Sequence, residues 1–221
     1  MPEAGTGPWW NLIRFGFRLL YNEMAFTYDT VSTVVSLGAW RCWQRAALRH
    51  LPAAIDAPIL ELAHGTGDLQ LDLSGAGYRA IGYDLSPYMG RITQAKFRRQ
   101  RIDPRLVRGR AQDLPFAAGQ FGAVISTFPT NFIVEPDTLA EVARVLQPGG
   151  RLVIVPSATF TSSGALTSSL EWLYRITGQR QGVQRDSQAI IERLFAPYGF
   201  TAQVHQERCP RSTVIVIVAQ R

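Results

Sequence analysis

From Pro58 onward, short apolar runs alternate with stretches of helical pattern, and this alternation constrains the fold more than any other feature of the chain. Strand, helix, strand in this rhythm is typical of a parallel sheet with helices on both faces. The chain therefore predicts an α/β protein with a doubly wound sheet. The predicted strands are 59–63, 80–83, 105–107, 123–127 and 151–155, and the predicted helices are 69–74, 87–99 and 137–146.

The last part of the chain follows a different pattern. A helix is predicted over 187–197, followed by two strands over 200–206 and 213–219. The gap between these two strands is too short for a crossover helix, which a parallel pair would need. We therefore predict a C-terminal antiparallel hairpin, which brings the sheet to seven strands.

The first 55 residues predict a helical arm ahead of the main domain, which we place at 56–221. Residues 31–51 read as one helix whose apolar face includes Val34 and Trp40, and Pro52 ends it. Residues 8–26 are aromatic and apolar, with a narrow polar stripe at helical spacing. That stripe consists of Asn11, Arg14, Arg18 and Asn22. Such a helix is either a lid over the active site or a peripheral membrane contact, and both readings suit a hydrophobic substrate.

Composition excludes several classes of protein. Hydrophobic residues make up 46% of the chain and charged residues 18%, which excludes a disordered or fibrous protein. No apolar run is long enough for a membrane span, and we see no secretion signal at the start. Cys42 and Cys209 lie far apart and form no metal-spacing motif, so we expect no disulfide framework and no metal site. These features predict a cytoplasmic protein in a reducing compartment.

The net charge of +6 comes from one window of the chain. Residues 91–110 contain eight basic side chains and a single acid, Asp103. This basic stripe runs from the second helix of the sheet domain into the third strand. Ligands bind at the carboxyl ends of parallel strands, so we expect the stripe at the opposite edge of the sheet. A nucleic-acid substrate is therefore not favoured.

A glycine motif follows the first strand. Gly65 and Gly67 allow a tight turn from strand to helix and a close approach of a ligand to the backbone. Asp84, at the end of the second strand, is placed to hold a ribose diol. The third glycine of a dinucleotide fingerprint is replaced by Gln70, and Glu61 would repel a pyrophosphate but attract a cationic ligand. This pattern favours S-adenosyl-L-methionine (SAM) over a nicotinamide cofactor.

These residues resemble the first two motifs of class I SAM-dependent methyltransferases, which have a Rossmann-like fold. Residues 112–116 resemble the loop that encloses the adenine in that class, and residues 144–152 resemble the turn before its fifth strand. Tyr28-Asp29, followed by Ser36-Leu37-Gly38 and Trp43-Gln44-Arg45, is similar to the N-terminal signature of the ubiquinone/menaquinone-biosynthesis group (methyltransferase type 11). Thr130 departs from that group, which typically has an arginine there. Bacterial phospholipid N-methyltransferases share the overall pattern.

The resemblance implies a set of cofactor-binding residues: Tyr28, Glu61, Ala63, His64, Gly65, Gly67, Asp84, Leu85, Met89, Gln112, Asp113, Leu114, Thr127 and Phe128. It assigns no catalytic residue firmly, and the candidates are Tyr28, Asn131 and His205. Methyl transfer from a sulfonium depends mainly on orienting and desolvating the reactants.

The sequence therefore predicts a SAM-dependent methyltransferase that acts on a small hydrophobic acceptor, either a quinol or a lipid. One alternative is a phospholipid N-methyltransferase at the membrane surface. Residues 8–26 would then contact the inner face of the membrane. Another is a nucleic-acid-binding module that uses the same scaffold. A third is a non-catalytic partner subunit. The acceptor atom and the oligomeric state are left open.

Overall fold

A computed structural model describes residues 28–52, 56–161 and 187–221. The predicted amphipathic segment 8–26 lies outside the described residues. Part of the predicted arm 1–55 lies within them, and its boundary with the domain at 56–221 stays a prediction. Among the described helices, none is both long and apolar enough to cross a membrane.

One mixed sheet of seven strands forms the centre of the molecule, in the order β3-β2-β1-β4-β5-β7-β6. The first five strands are parallel, whereas β7 runs antiparallel between β5 and β6. The predicted doubly wound, seven-stranded sheet with a C-terminal hairpin is thereby confirmed. The strands are β1 (Ile59–Leu62), β2 (Ala80–Asp84), β3 (Leu106–Arg108), β4 (Phe121–Thr127), β5 (Leu146–Phe160), β6 (Thr201–Cys209) and β7 (Ser212–Gln220).

Helices connect and cover these strands. The α-helices are α1 (Tyr28–Val35), α2 (Trp40–Arg45), α3 (Asp68–Gly75), α4 (Pro87–Arg99), α5 (Pro136–Val145) and α6 (Ser187–Phe195). Short 3-10 segments occupy Ala46–His50, Asn131–Val134 and Ala196–Tyr198. Ser86 caps α4, because its side chain accepts a hydrogen bond from the backbone of Met89 and Pro87 fits the first turn.

Each face of the sheet buries its own apolar core. On one face, α5 and α6 pack with residues such as Leu139 and Phe195 against the sheet. On the other face, α2, α3 and the segment Ala46–His50 contribute Trp43, Leu69 and Ala47. Successive strand residues point to opposite faces, so the central strands β1 and β4, which are covered on both faces, are buried along their length. All seven residues of β4 are buried.

The prediction of a single helix over 31–51 is wrong in detail. Leu37 and Gly38 adopt positive φ angles of 51° and 82°, which end α1 and redirect the chain into α2. The apolar periodicity did not reveal this break, because it continues across it. Val34, expected on the buried face, is 63% exposed.

The expectation that the two cysteines do not pair is also wrong. Cys42 in α2 and Cys209 at the end of β6 form a disulfide, with their Cα atoms 6.0 Å apart. Nearby, the Trp43 indole donates a hydrogen bond of 2.8 Å to Ser212. Their separation of 167 residues concealed the pairing, because only the folded sheet brings α2 to the hairpin.

Candidate functional site

The loop between β1 and α3 turns sharply through three residues with positive φ: Ala63, Gly65 and Gly67, at 56°, 55° and 81°. A Cβ atom added at Gly67 would lie 2.4 Å from Thr93 Cγ2, so the backbone packs directly on α4 there. A Cβ atom added at Gly65 would meet no atom within 4 Å. Open space therefore faces the loop at Gly65, at the carboxyl end of β1. We call this open space the crevice.

Asp84 holds this loop from the neighbouring strand. One carboxylate oxygen accepts a hydrogen bond of 2.9 Å from the Gly65 backbone, and the other accepts one of 2.8 Å from the Ser86 backbone. Gly65 and Asp84, which are 19 positions apart in the sequence, are thus in direct contact. The carboxylate is half-buried at the edge of the open space.

Glu61 lies at the base of the loop and is 1% exposed. Gln70 donates a hydrogen bond of 2.7 Å to its carboxylate. Burial raises the pKa of Glu61 to about 8, and the charges of Asp84 and other nearby acids act in the same direction. A buried carboxyl with a raised pKa ionises more readily when a cation approaches it.

His64 supports the loop from within. Its Nδ1 atom lies 2.9 Å from the Gly65 carbonyl oxygen and 3.3 Å from the Thr93 hydroxyl, which itself donates to the same carbonyl at 3.0 Å. Burial lowers the pKa of His64, although the charge of Asp84 opposes this shift. The neutral imidazole therefore acts as packing and hydrogen-bonding support, and Thr93 is a residue that the sequence analysis missed.

An apolar surface borders the open space on the β2 side. Leu85, directly after Asp84, is 61% exposed, whereas Met89 and Leu114 are buried. An exposed leucine beside a carboxylate suits a ligand with a flat apolar part and a polar part.

The predicted adenine loop is held by two residues that sequence reasoning did not identify. Glu141 accepts a hydrogen bond of 2.7 Å from the Leu114 backbone, and Arg144 donates to the carbonyls of Leu114 and Phe116. The two side chains also form an ion pair at 2.7 Å. Their i, i+3 spacing on a predicted helix was a signal that could have found them. Gln112 donates to Glu135, and Asp113 is exposed.

An aromatic cluster of Trp40, Trp43 and Phe128 lies on the other side of the open space, at the carboxyl end of β4. We call it the aromatic wall. Thr127 is buried, and Phe128 follows it with a positive φ of 50°. The Phe128 ring stacks on Trp40, with ring centroids 4.5 Å apart, and lies 5.8 Å from Trp43. Trp40 was predicted only as part of an apolar helix face, but α2 carries it to this wall.

A polar network connects α1 to the glycine loop. The Thr66 hydroxyl donates a hydrogen bond of 2.5 Å to Asp29, the second residue of α1. Lys96 bridges Asp29 and Asp68 at 2.5 Å and 2.8 Å. α1 is therefore fixed against the loop through Asp29, which was predicted only as part of an N-terminal signature.

The structure brings most of the predicted site residues together but separates one of them. Tyr28 begins α1 beside Asp29, and Asn131 begins the 3-10 segment after β4. His205 lies on the edge strand β6, four strands from β1 and roughly 19 Å away at the usual strand spacing. Its ring instead lies 4.6 Å from that of His50.

The basic stripe at 91–110 is divided, which corrects the expectation that all of it faces away from the crevice. Arg98, Arg99 and Arg101 are exposed at the end of α4, as expected. Lys96 belongs to the network at the loop. Arg108 pairs in register with Asp84 at the carboxyl end of β3, and its side chain donates to the Leu85 carbonyl at 3.1 Å.

Comparison with known proteins gives a family match over most of the chain. The model of the ubiE/COQ5 methyltransferase family matches residues 17–178. A demethylmenaquinone methyltransferase of Beutenbergia cavernae is 38% identical over 141 residues, which cover 63% of this chain and 57% of the relative. One of Thermus thermophilus is 37% identical over 139 residues, covering 62% and 63%. The chain spans less than two thirds of the length of these curated relatives.

Solved structures share the fold. A SAM-dependent methyltransferase from Thermotoga maritima has a TM-score of 0.62 at 17% identity, covering 91% of this chain and 97% of that one. Geranyl diphosphate C-methyltransferase from Streptomyces coelicolor, in complex with S-adenosyl-L-homocysteine, has a TM-score of 0.59 at 16% identity, covering 81% and 78%. At these identities the likeness concerns the architecture alone.

Proposed function

This chain belongs to the ubiE/COQ5 methyltransferase family, and on that premise we propose that it transfers a methyl group from SAM to a small, quinol-like hydrophobic acceptor. Membership confirms the predicted family and supports SAM as the cofactor. The observation that carries the proposal is the glycine loop, open at Gly65 and held by Asp84, beside an aromatic wall.

The residues of the crevice fit this cofactor. The open space at Gly65 is what a ligand in contact with the backbone would fill. A carboxylate at Asp84 suits a ribose diol, and Glu61 offers a carboxyl to a cationic amino acid moiety. The exposed apolar side chain of Leu85 suits an adenine ring.

We assign the remaining predicted residues to the same site by position. The backbone at Ala63, His64 and Gly67 would border the methionine part of the cofactor. Gln112 and Asp113 would border the adenine. Thr127 and Phe128 would form the far wall, and Tyr28 would close the amino acid end.

The aromatic cluster supports an apolar, flat acceptor. Trp40 and Phe128 are each half-buried and stacked, so part of each ring faces away from the core. Flat rings prefer stacked or edge-to-face contact with other aromatic groups. A quinol ring suits such a surface better than a flexible zwitterionic headgroup does. The names of the curated relatives point in the same direction.

The bound cofactor would supply an electrophilic methyl group on a sulfonium. The task of this chain is then to orient the acceptor and to exclude water. The aromatic wall and the buried β4 contribute a dry surface, and the loop held by Asp84 fixes the geometry. Asn131 and Tyr28 stay predicted candidates for a catalytic role. His205 is too distant from the loop to share that role.

The first prediction tests cofactor binding. Asp84→Ala removes the acceptor of the Gly65 and Ser86 backbone bonds and the proposed ribose contact. We expect the affinity for S-adenosyl-L-homocysteine, measured by calorimetry, to fall at least about tenfold. Asp103→Ala, which removes the same charge from an exposed position after α4, serves as the matched control.

Thermal unfolding of both variants without ligand separates loss of binding from loss of folding. Absence of any binding heat with the wild-type chain would contradict the proposal. So would equal affinities for a folded Asp84→Ala variant and the wild type.

A transfer assay tests the acceptor. Labelled SAM is incubated with the chain and either reduced demethylmenaquinone or phosphatidylethanolamine vesicles, and the labelled product is identified. We expect label in the quinol. Label in the phospholipid alone would show that the chain transfers methyl groups but that its acceptor is a phospholipid rather than a quinol. Label in neither acceptor would overturn the proposal.

A further inference from the structure

A second concave surface lies on the C-terminal hairpin, away from the crevice. It is a groove of about 560 Å³ over β6 and β7. It is lined by His50, Arg151, Gly199, Thr201, Gln203, His205, Val218, Gln220 and Arg221.

The groove is separated from the crevice in two directions. Arg151 pairs with Ala123 at the amino end of β4, whereas the crevice lies at the carboxyl ends of the parallel strands. β6 is also the edge strand, four strands from β1. The proposed cofactor and acceptor would therefore not occupy this groove.

The ionisable side chains that line the groove are all basic. Its four ionisable lining residues are His50, Arg151, His205 and Arg221, and among the described residues that line it none is acidic. Glu207, an acid beside His50, is engaged by Arg49 at 2.6 Å and by His50 at 3.0 Å. The two arginines of the groove thus have no acidic side chain among the described residues that line it with them.

The cationic side chains are held in place before any ligand arrives. Arg151 donates a hydrogen bond of 3.0 Å to the His50 carbonyl, and Arg221 donates to the Leu146 carbonyl. Each guanidinium carries five N–H donors, so further donors stay available to a ligand. The pKa of His50 is lowered by burial and by the charge of His205. An anion in the groove would offset that repulsion.

Neutral donors complete the surface. Thr201 and Gln203 from β6 and Gln220 from β7 add a hydroxyl and two amides, with Thr201 directly opposite Gln220. A tetrahedral oxyanion accepts many hydrogen bonds at once, and arginine binds it in a bidentate manner.

We propose that this groove binds a small phosphate-bearing anion at a site separate from the methyltransferase crevice. The phosphate belongs either to a soluble phosphate ester or to a phospholipid headgroup, since both present the same oxyanion to Arg151 and its neighbours. The proposal does not depend on the proposed acceptor.

The test is titration of inorganic phosphate into the full chain by calorimetry, at a constant ionic strength set with sodium chloride. We expect saturable binding and a rise in Tm with phosphate concentration. Gln203→Glu places a carboxylate in the groove without removing a cation, and should weaken binding at least tenfold. The matched control is Gln206→Glu on the same strand. Gln206 is an odd number of residues from Gln203, so it points to the opposite face.

A second variant is included so that the test does not depend on Gln203→Glu alone. Arg151→Gln, with folding checked by circular dichroism, should weaken phosphate binding by a similar factor. Absence of saturable binding would overturn the proposal, as would equal weakening by Gln203→Glu and Gln206→Glu, which would indicate non-specific attraction.

The source of the phosphate is then decided by two further probes, glycerol 3-phosphate and phosphatidylglycerol vesicles. Vesicle binding that inorganic phosphate competes away and that Gln203→Glu abolishes would assign the site to a headgroup. Binding of glycerol 3-phosphate with no vesicle binding would assign it to a soluble ester.

Discussion

At the scale of single residues, the site depends on groups that hold the backbone as much as on groups that face open space. Asp84 was predicted as a ribose ligand, yet in the folded chain it also holds the glycine loop and the start of α4. His64 and Thr93 share the Gly65 carbonyl. Substitutions here therefore affect both the loop geometry and the proposed ligand contact, and controls for folding are essential.

Glu61 gives a prediction about pH. Its folded-state pKa of about 8 lies above the ordinary 4.5, so the folded chain holds the proton more tightly than the unfolded chain. The stability that this group contributes is fully present below about pH 4.5 and is lost as the pH rises to about 8. The loss is about 1.4 kcal/mol per pH unit in that window.

Glu61→Gln should remove this dependence while keeping an acceptor for Gln70. We expect the free energy of unfolding, measured in urea at pH 5 to 8, to fall less steeply in the variant than in the wild type. Glu192→Gln, at an exposed position on α6, should leave the wild-type slope unchanged. Parallel slopes for Glu61→Gln and the wild type would show that Glu61 is not the group responsible.

At the scale of elements, α2 connects otherwise distant parts of the fold. It carries Trp40 to the aromatic wall, Cys42 to the disulfide and Arg41 to Asp68 and Asp72 of α3. An element of six residues has little stability of its own. Its position is therefore set by these tertiary contacts.

The disulfide gives a prediction at this scale. A link between residues 167 apart constrains the unfolded chain strongly, and disulfides typically contribute about 2–4 kcal/mol. The double variant Cys42→Ser, Cys209→Ser should therefore unfold at a Tm lower by roughly 5–15 °C. Reductant should lower the Tm of the wild type similarly and leave the variant unaffected. Two free thiols in the denatured, unreduced wild type would contradict the pairing.

At the scale of the whole molecule, the net charge of +6 acquires a different meaning once it is placed on the fold. Part of the basic stripe is exposed at the end of α4, part is paired at the glycine loop, and Arg108 lies beside Leu85. A nucleic-acid methyltransferase would need its cations around the crevice mouth to deliver a base. The exposed group at the end of α4 does not meet that requirement.

The different positions of these basic residues predict different effects of two sets of substitutions on cofactor-product affinity. Changing Arg98, Arg99 and Arg101 together to Gln should leave the S-adenosyl-L-homocysteine affinity within about twofold. Arg108→Gln should weaken it about fivefold through the lost bond to Leu85, which is near 1 kcal/mol. Both affinities are measured by calorimetry. Salt-dependent RNA retention by the wild type that the triple variant loses would instead favour the nucleic-acid alternative.

Much of this protein was determined by the local sequence. Hydrophobic periodicity and short connections fixed the seven strands, the antiparallel hairpin and the glycine turn, because these depend on neighbours along the chain. Residue types at that turn also predicted the cofactor class, since a carboxylate and two glycines at strand ends restrict which ligand fits.

The tertiary structure alone decided the long-range contacts. The Cys42–Cys209 disulfide, the Trp40–Phe128 stack and the Asp29–Lys96 bridge join residues with no local pattern in common. Likewise, His205 reads as a catalytic candidate in the sequence but faces His50 over the hairpin. Such contacts are set by which faces of the sheet the helices cover, and periodicity along one segment carries no information about the partner on another.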